Sequence, residues 1–414
     1  MNSERLLARF LSYVRIDTMA REGAGCYPSS PGQLELGRKL VAELQAIGLA
    51  DAGIDSFGIV LATIPATRSG ATCAIALNSH VDTSPETTAA GVNPQVISDY
   101  PGGDILLGGG AGGVIRAAEN PDLAALRGRT IITTDGKTLL GADDKAGVAV
   151  IMETAAWLVE HPEIPHGPIR ICFTCDEEIG HGVDHIDLAK LSAVVGYTLD
   201  GQGANEIDVE TFSADVVIVR VCGVNIHPSI AKGRMINALR VAGDFLARLP
   251  RDTLAPETTA GREGFLHPYT IEGGVAQATV RVLLRDFETA RLDELADLLA
   301  RIAAECERDH PGAHIELCRQ AQYRNMRAGL LAEPRAVAYA EEALRRLGRT
   351  PIRTIVRGGT DGSRLTEIGL PTPNLSVGQH NPHSPLEWAC LEEMVAAGEM
   401  LVELAQVWAE PGEQ

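Results

Sequence analysis

Leu139-Leu140-Gly141-Ala142-Asp143-Asp144-Lys145-Ala146-Gly147 is the stretch on which the fold turns. A nearly apolar lead-in ends in two adjacent aspartates and a lysine. Val148, Val150, Ile151, Met152, Ala155, Ala156 and Leu158 then predict a largely buried helix running to about His161. Two carboxylates at the mouth of such a helix need a partner or a metal, because a desolvated charge left alone is costly. The helix N-terminus offsets part of that cost, since its dipole and free N–H groups favour negative charge. By itself the stretch also suits an Asp N-cap beside a solvated neighbour. The acids and histidines elsewhere in the chain decide between the two.

Working outward, strand-like runs surround this helix. Val60–Ile64 and Ala74–Leu77 precede it, the second leading into Asn78-Ser79-His80-Val81-Asp82. A His-x-Asp pair at a strand end lets one imidazole nitrogen bind a metal while a carboxylate orients the other. After the helix, Ile169–Thr174 ends in Cys175-Asp176-Glu177-Glu178-Ile179-Gly180, three acids with no adjacent lysine or arginine. Val195–Leu199 then ends in Asp200-Gly201. Four strands are thus expected to deliver His80, Asp143, Glu177 with Glu178, and Asp200 at or just past their C-terminal ends, the edge of an α/β sheet where ligand sites form. Ser30-Pro31 opens a further helix that closes near Gly48. Residues 87–135 read as an irregular excursion from a hairpin, and the glycines at 108–110 do not match a phosphate-binding loop.

With 414 residues the chain exceeds one ordinary core, so two domains are expected. Its composition, 45% hydrophobic and 22% charged, is that of a globular protein. No apolar run is long enough to span a bilayer, and Met1–Phe10 reads as an amphipathic helix rather than a signal peptide, which predicts a cytoplasmic protein without a membrane partner. A net charge of −19 argues against nucleic acid as a partner. Cys172 and Cys175 have CxxC spacing but sit at the end of a strand, not at a helix start that would activate a thiol, so they are read as buried strand residues.

Near Ser213 the pattern changes. Strand Ala214–Cys222, helix Met235–Leu249, strands near Leu266–Ile271 and Val275–Arg285, helix Arg291–Arg308 and strand His314–Leu317 suit a small α+β domain. From about Arg324 the α/β pattern returns with helix Glu333–Leu347, strand Ile352–Val356, a glycine turn over Arg357–Gly362, strand-like Asn374–Val377, the loop Gly378–Ser384 and helix Leu391–Trp408. The expected organisation is a catalytic domain in two parts, 1–212 and 322–414, with an inserted lid domain over 213–321.

Ser-His-Val-Asp-Thr-Ser-Pro at 79–85 and Ile-Thr-Thr-Asp-Gly-Lys-Thr-Leu-Leu-Gly-Ala-Asp-Asp-Lys-Ala-Gly at 132–147 carry a resemblance. Thr174–Gly180, Thr198–Gly203, Ala231-Lys232-Gly233, Arg285-Asp286-Phe287 and Arg357–Gly362 add to it. In these motifs the chain resembles the peptidase T family of tripeptide aminopeptidases, within the di-zinc metallopeptidase superfamily that includes aminoacylases and glutamate carboxypeptidases. The resemblance implies an α/β catalytic domain, a mixed central sheet flanked by helices, carrying a smaller α+β lid. It implies two Zn2+ ions per chain, with Co2+ or Mn2+ as substitutes, and small peptides as substrates, a homodimer being left open. Asp143 would bridge the ions, His80 and Asp200 holding one and Glu178 and His383 the other, an arrangement zinc chemistry favours. Glu177 would be the general base and Asp82 the orienter of His80. The peptide bond between Asp143 and Asp144 would be cis. In His380-Asn381-Pro382-His383 the family pattern falls on His383. His227, Asn237, Arg285 and Arg357 are the implied substrate contacts. His227-Pro228-Ser229 and Ser384 depart from the usual glycine that follows each motif. A deacylase or carboxypeptidase of the same superfamily is the alternative activity.

Overall fold

The computed structural model describes residues 1–70 and 73–410 and divides into two compact units. The first comprises Met1–Val209, Met326–Thr354 and Thr360–Gln414. At its centre Ile169–Thr174, Ile75–His80, Val195–Gln202 and Asn374–His380 lie side by side as parallel strands. Ile75–His80 and Asn374–His380 are buried at every position, as strands covered on both faces must be. Antiparallel neighbours extend the sheet, Val60–Ile64 then Gly53–Ile54 beyond Ile169–Thr174, and Trp388–Cys390, Ile131–Thr133 and Gln95–Ile97 beyond Asn374–His380.

The helix expected after the two aspartates spans Ala142–Glu160 and lies on this sheet between Ser3–Tyr13 and Leu391–Ala409. Gly147 permits the close approach: a Cβ there would stand 2.1 Å from the Leu199 carbonyl oxygen. Every residue from Asp144 to Ala156 is buried, including Glu153. Its carboxylate is answered from the N-terminal helix by Arg5 Nε at 2.7 Å and Arg9 Nη1 at 2.8 Å. A buried acid thus fixes how the amphipathic first helix docks.

The second unit runs from Glu210 to Asn325 and takes in Ile355–Gly359. Four antiparallel strands in the order Phe265–Gly273, Gln277–Asp286, Ser213–Cys222 and His314–Tyr323 form its sheet. Helices Ala238–Ala247 and Arg291–Asp309 pack on it through a core that includes Val219, Val280, Val282, Phe245 and Leu299. Arg357 belongs to this unit. Its guanidinium donates to the carbonyls of Gly261 at 2.9 Å and Glu263 at 2.8 Å and to Thr259 Oγ1 at 2.8 Å, and lies over the rings of Phe212 and Phe265. Arg357→Ala is therefore expected to destabilise this unit by about 2 kcal/mol, read as a lower Tm in thermal unfolding. An unchanged Tm would show those contacts to be idle.

Several elements differ from the sequence reading. Asp143 comes from the start of a helix and not from a strand, ten residues after Ile131–Thr133 ends. Asp200 lies inside its strand, which continues to Gln202. The stretch read as a glycine turn contains a short helix, Asp361–Glu367, whose first turn is tied by Thr360 N donating to Ser363 Oγ at 3.2 Å. Trp388–Cys390 is a strand too short for its alternation to register in the sequence. Cys172 and Cys175 are buried free thiols, and burial pushes both upward in pKa, away from thiolate chemistry.

Candidate metal centre

The C-terminal edge of the four parallel strands meets the start of helix Ala142–Glu160, and His80, Asp143, Glu178, Asp200 and His383 converge there. His80 ends its strand fully buried. Its Nδ1 faces the Asp82 backbone oxygen at 3.1 Å and the Asp82 carboxylate at 3.4 Å. That fixes the ring so that Nε2 points to Asp143 Oδ1 at 3.0 Å and Asp200 Oδ1 at 3.9 Å. His383, in left-handed backbone conformation at φ 62°, sets its Nε2 at 3.2 Å from Asp143 Oδ2 and 2.9 Å from Glu178 Oε2. The two oxygens of Asp143 therefore face different imidazoles. His380, the other histidine of that loop, turns elsewhere: it stacks on Trp388 and contacts Glu393 at 2.8 Å.

The neighbouring Asp144 is fully buried and occupied by the backbone. It accepts from Ser79 Oγ, from His80 N at 3.2 Å and from Gly147 N at 3.2 Å, and so holds strand and helix together. The peptide between the two aspartates is cis. Asp82 has a second duty beyond orienting His80: its two oxygens accept from Glu177 N and Glu178 N, each at 3.1 Å. The Glu177 carboxylate makes no hydrogen bond or ion pair with another described side chain.

Three further acids support the cluster, and of these only Glu387 lies outside the stretches quoted from the sequence. Glu387 is buried and accepts from the amides of Leu140 at 2.6 Å, Gly141 at 2.7 Å and Asp143 at 3.0 Å, gripping the loop that presents Asp143. Asp361 accepts from Thr174, beneath the Glu177 turn. Asp176 anchors the same turn from outside the cluster. The sequence hint for Glu387 is an acid between apolar neighbours, Leu386-Glu387-Trp388.

The electrostatics are those of a cluster short of positive charge. Burial raises Asp200 and Glu177 well above the ordinary carboxylate range, Glu178 to about 7, Glu387 to about 7 and Asp361 to about 6. Burial would lower His80 and His383, but hydrogen bonds to Asp143, with Asp82 and Glu178 respectively, outweigh it and raise both. Asp143 moves the other way, because the two imidazoles overcome its burial and hold it ionised. Donor atoms of His80, Asp143 and Glu178 lie within 4.8 Å of one another, as do those of His80, Asp144 and Asp200. Glu178 Oε1 is buried without a hydrogen-bond partner among the described residues. Imidazole and carboxylate donors around an orphaned buried oxygen are a set that fits divalent metal.

The other expected site residues lie in the second unit. His227 is exposed and its Nδ1 faces Ser229 Oγ at 2.7 Å. Asn237 caps helix Ala238–Ala247 by accepting from Leu239 N at 3.0 Å. Arg285 donates to Gln322 Oε1 at 2.7 Å and lies over the Tyr323 ring, and no described carboxylate pairs with it. Arg357 is held by the 259–263 loop, as described above.

The sequence profile of peptidase family M20/M25/M40 matches residues 133–407. A protein named peptidase T, from Geobacillus kaustophilus strain HTA426, is 42% identical over 405 residues, which cover 98% of each chain. The chain belongs to peptidase family M20/M25/M40. As an M20 peptidase it is a hydrolase. Among solved structures, the aminopeptidase PepT from Bacillus cereus ATCC 10987 superposes with a TM-score of 0.75 at 24% identity, covering 99% of this chain and 100% of that one. A tripeptidase from Staphylococcus aureus Mu50 gives 0.78 at 22% identity over 99% of each. Both likenesses are of fold. Among the described residues of this M20 peptidase no helix is long and apolar enough to cross a membrane.

Proposed function

We propose that this M20 peptidase releases the N-terminal residue from tripeptides, with two Zn2+ ions held by its own side chains. The observation that carries the reading is Asp143, whose two oxygens face two separate imidazoles, His80 and His383. His80, Asp200 and one oxygen of Asp143 would hold one ion, and Glu178, His383 and the other oxygen the second; Co2+ or Mn2+ would substitute. Such ions supply Lewis acidity toward a peptide carbonyl and toward water. Asp82 keeps His80 in the tautomer that presents Nε2 and fixes the backbone of Glu177 and Glu178. Glu177 acts as general base, taking the water proton at its carboxylate and passing it to the leaving amine. The names of the relatives, peptidase T among them, support peptide as the substrate class.

His227, Asn237, Arg285 and Arg357 are proposed as the groups that meet the substrate beyond the scissile bond. Arg285 is assigned the C-terminal carboxylate, which a guanidinium reads in bidentate fashion. Arg285→Ala is expected to lose about 10- to 100-fold in kcat/KM on a tripeptide, the equivalent of a charge-assisted hydrogen bond, and little on its C-terminal amide. Equal losses on both would remove Arg285 from that role. The activity itself is tested by assaying the zinc-loaded protein on dipeptides, tripeptides, tetrapeptides and N-acetylated tripeptides. Release of the N-terminal residue from free tripeptides supports the reading. Preference for the N-acetylated forms would make the protein a deacylase or carboxypeptidase.

A further inference from the structure

Glu177 sits in a short turn closed by two backbone bonds, Gly180 N donating to Glu177 O at 2.7 Å and His181 N to Asp176 O at 2.8 Å, and held further by side chains from elsewhere in the chain. The turn is a single 3-10 segment, Glu177–Ile179, with left-handed residues on both sides, Asp176 at φ 61° and Gly180 at φ 79°. Glycine takes that conformation freely, whereas aspartate does so at a cost that surrounding contacts must cover. With no hydrogen bond on its carboxylate among the described residues, Glu177 takes its direction from this backbone. The contacts come from the segment that leads into the second helix, about 145 residues earlier in the chain.

Ser29 N donates to Asp176 Oδ2 at 2.6 Å, and Ser29 Oγ donates to Oδ1. Gln33 closes a reciprocal pair, its Nε2 donating to Asp176 Oδ1 at 2.6 Å and its Oε1 accepting from Asp176 N at 3.0 Å. Tyr27 OH donates to the Cys175 carbonyl at 2.8 Å. Ser29, Gln33 and Asp176 are all buried, so these bonds are shielded from water and set a defined geometry. None of the three faces the cluster of donor atoms around Asp143.

We infer that Ser29 and Gln33 are positioning residues for the reaction: through Asp176 they lock the left-handed turn that aims Glu177. The inference rests on Glu177 being the base. Asp82 holds the amides of 177 and 178, and the strap formed by Ser29 and Gln33 holds residue 176. Misplacement of a catalytic group by about 1 Å costs roughly 10²-fold in rate, and loosening one of two anchors is expected to cost part of that.

The test uses Gln33→Leu and Ser29→Ala in the full-length chain, with Ser29→Thr as the variant that keeps the hydroxyl. Expected is a fall in kcat of about 10- to 100-fold for the first two, with KM within about threefold of wild type, unchanged metal content and near-normal kcat in Ser29→Thr. Amide hydrogen exchange of the metal-stripped protein should quicken at residues 177–180 in both. In a Glu177→Gln background the added Gln33→Leu should change the residual rate by less than about twofold, because the strap acts through Glu177. Unchanged kcat and exchange in Ser29→Ala and Gln33→Leu would overturn the inference, as would metal loss in step with activity or a full additional loss in the Glu177→Gln background. Wild-type kcat in Glu177→Gln alone would instead overturn the assignment of the base, a result read without touching the strap.

Discussion

Glu177→Gln is expected to keep the fold and bind metal while losing about 10²–10⁴-fold in kcat. The side chain lies among carboxylates: burial raises its pKa first, with Asp361, Glu178 and Asp82 adding to the effect and His80 opposing it. A carboxylate at that place can take a proton and return it. The amide of the variant matches it in shape but has no basic oxygen. Its backbone anchor at Asp82 and its neighbours remain, so KM and metal content should change little. Turnover within a few-fold of wild type would mean that another group is the base.

Asp143→Ala is expected to cost more than any other single change, because it removes an oxygen from each of two donor sets. Chelation of the wild-type protein should abolish activity, and the variant should bind neither ion fully. The structure gives the reason in charge as well as geometry. Asp143 is the acid that the imidazoles hold ionised, while burial pushes Asp200 and Glu178 toward the neutral form. Without it, the Nε2 atoms of His80 and His383 lose the carboxylate that faces them at 3.0 and 3.2 Å. Metal analysis by mass spectrometry of the purified variant decides. Two full equivalents bound to Asp143→Ala would contradict the bridging role.

The parts of this site that could be read in the sequence are those whose chemistry is local. His80 and Asp82 stand two residues apart at a strand end, Glu177 and Glu178 follow a strand directly, and Asp143 opens a helix whose apolar faces are unmistakable. Topology then brings these ends to one edge, where His383 meets Asp143 across 240 residues. The supports were not legible, since each is a contact between residues distant in the chain. Glu387 grips the amides of 140, 141 and 143, Ser29 meets Asp176, and Asp144 reaches back to Ser79; the motifs hold Asp176, Asp144 and Ser79 but do not show these pairings. Arg357 has supports of the same long-range kind. It stands in a conspicuous glycine-rich stretch, yet its guanidinium is engaged by carbonyls of the 259–263 loop.

Anomalous X-ray scattering at the zinc edge, on crystals of the zinc-loaded protein, tests the central claim most directly. Two peaks are predicted, one between His80, Asp200 and the near oxygen of Asp143, the other between Glu178, His383 and the far oxygen. A single peak, or a pair in which only one touches Asp143, would contradict the account.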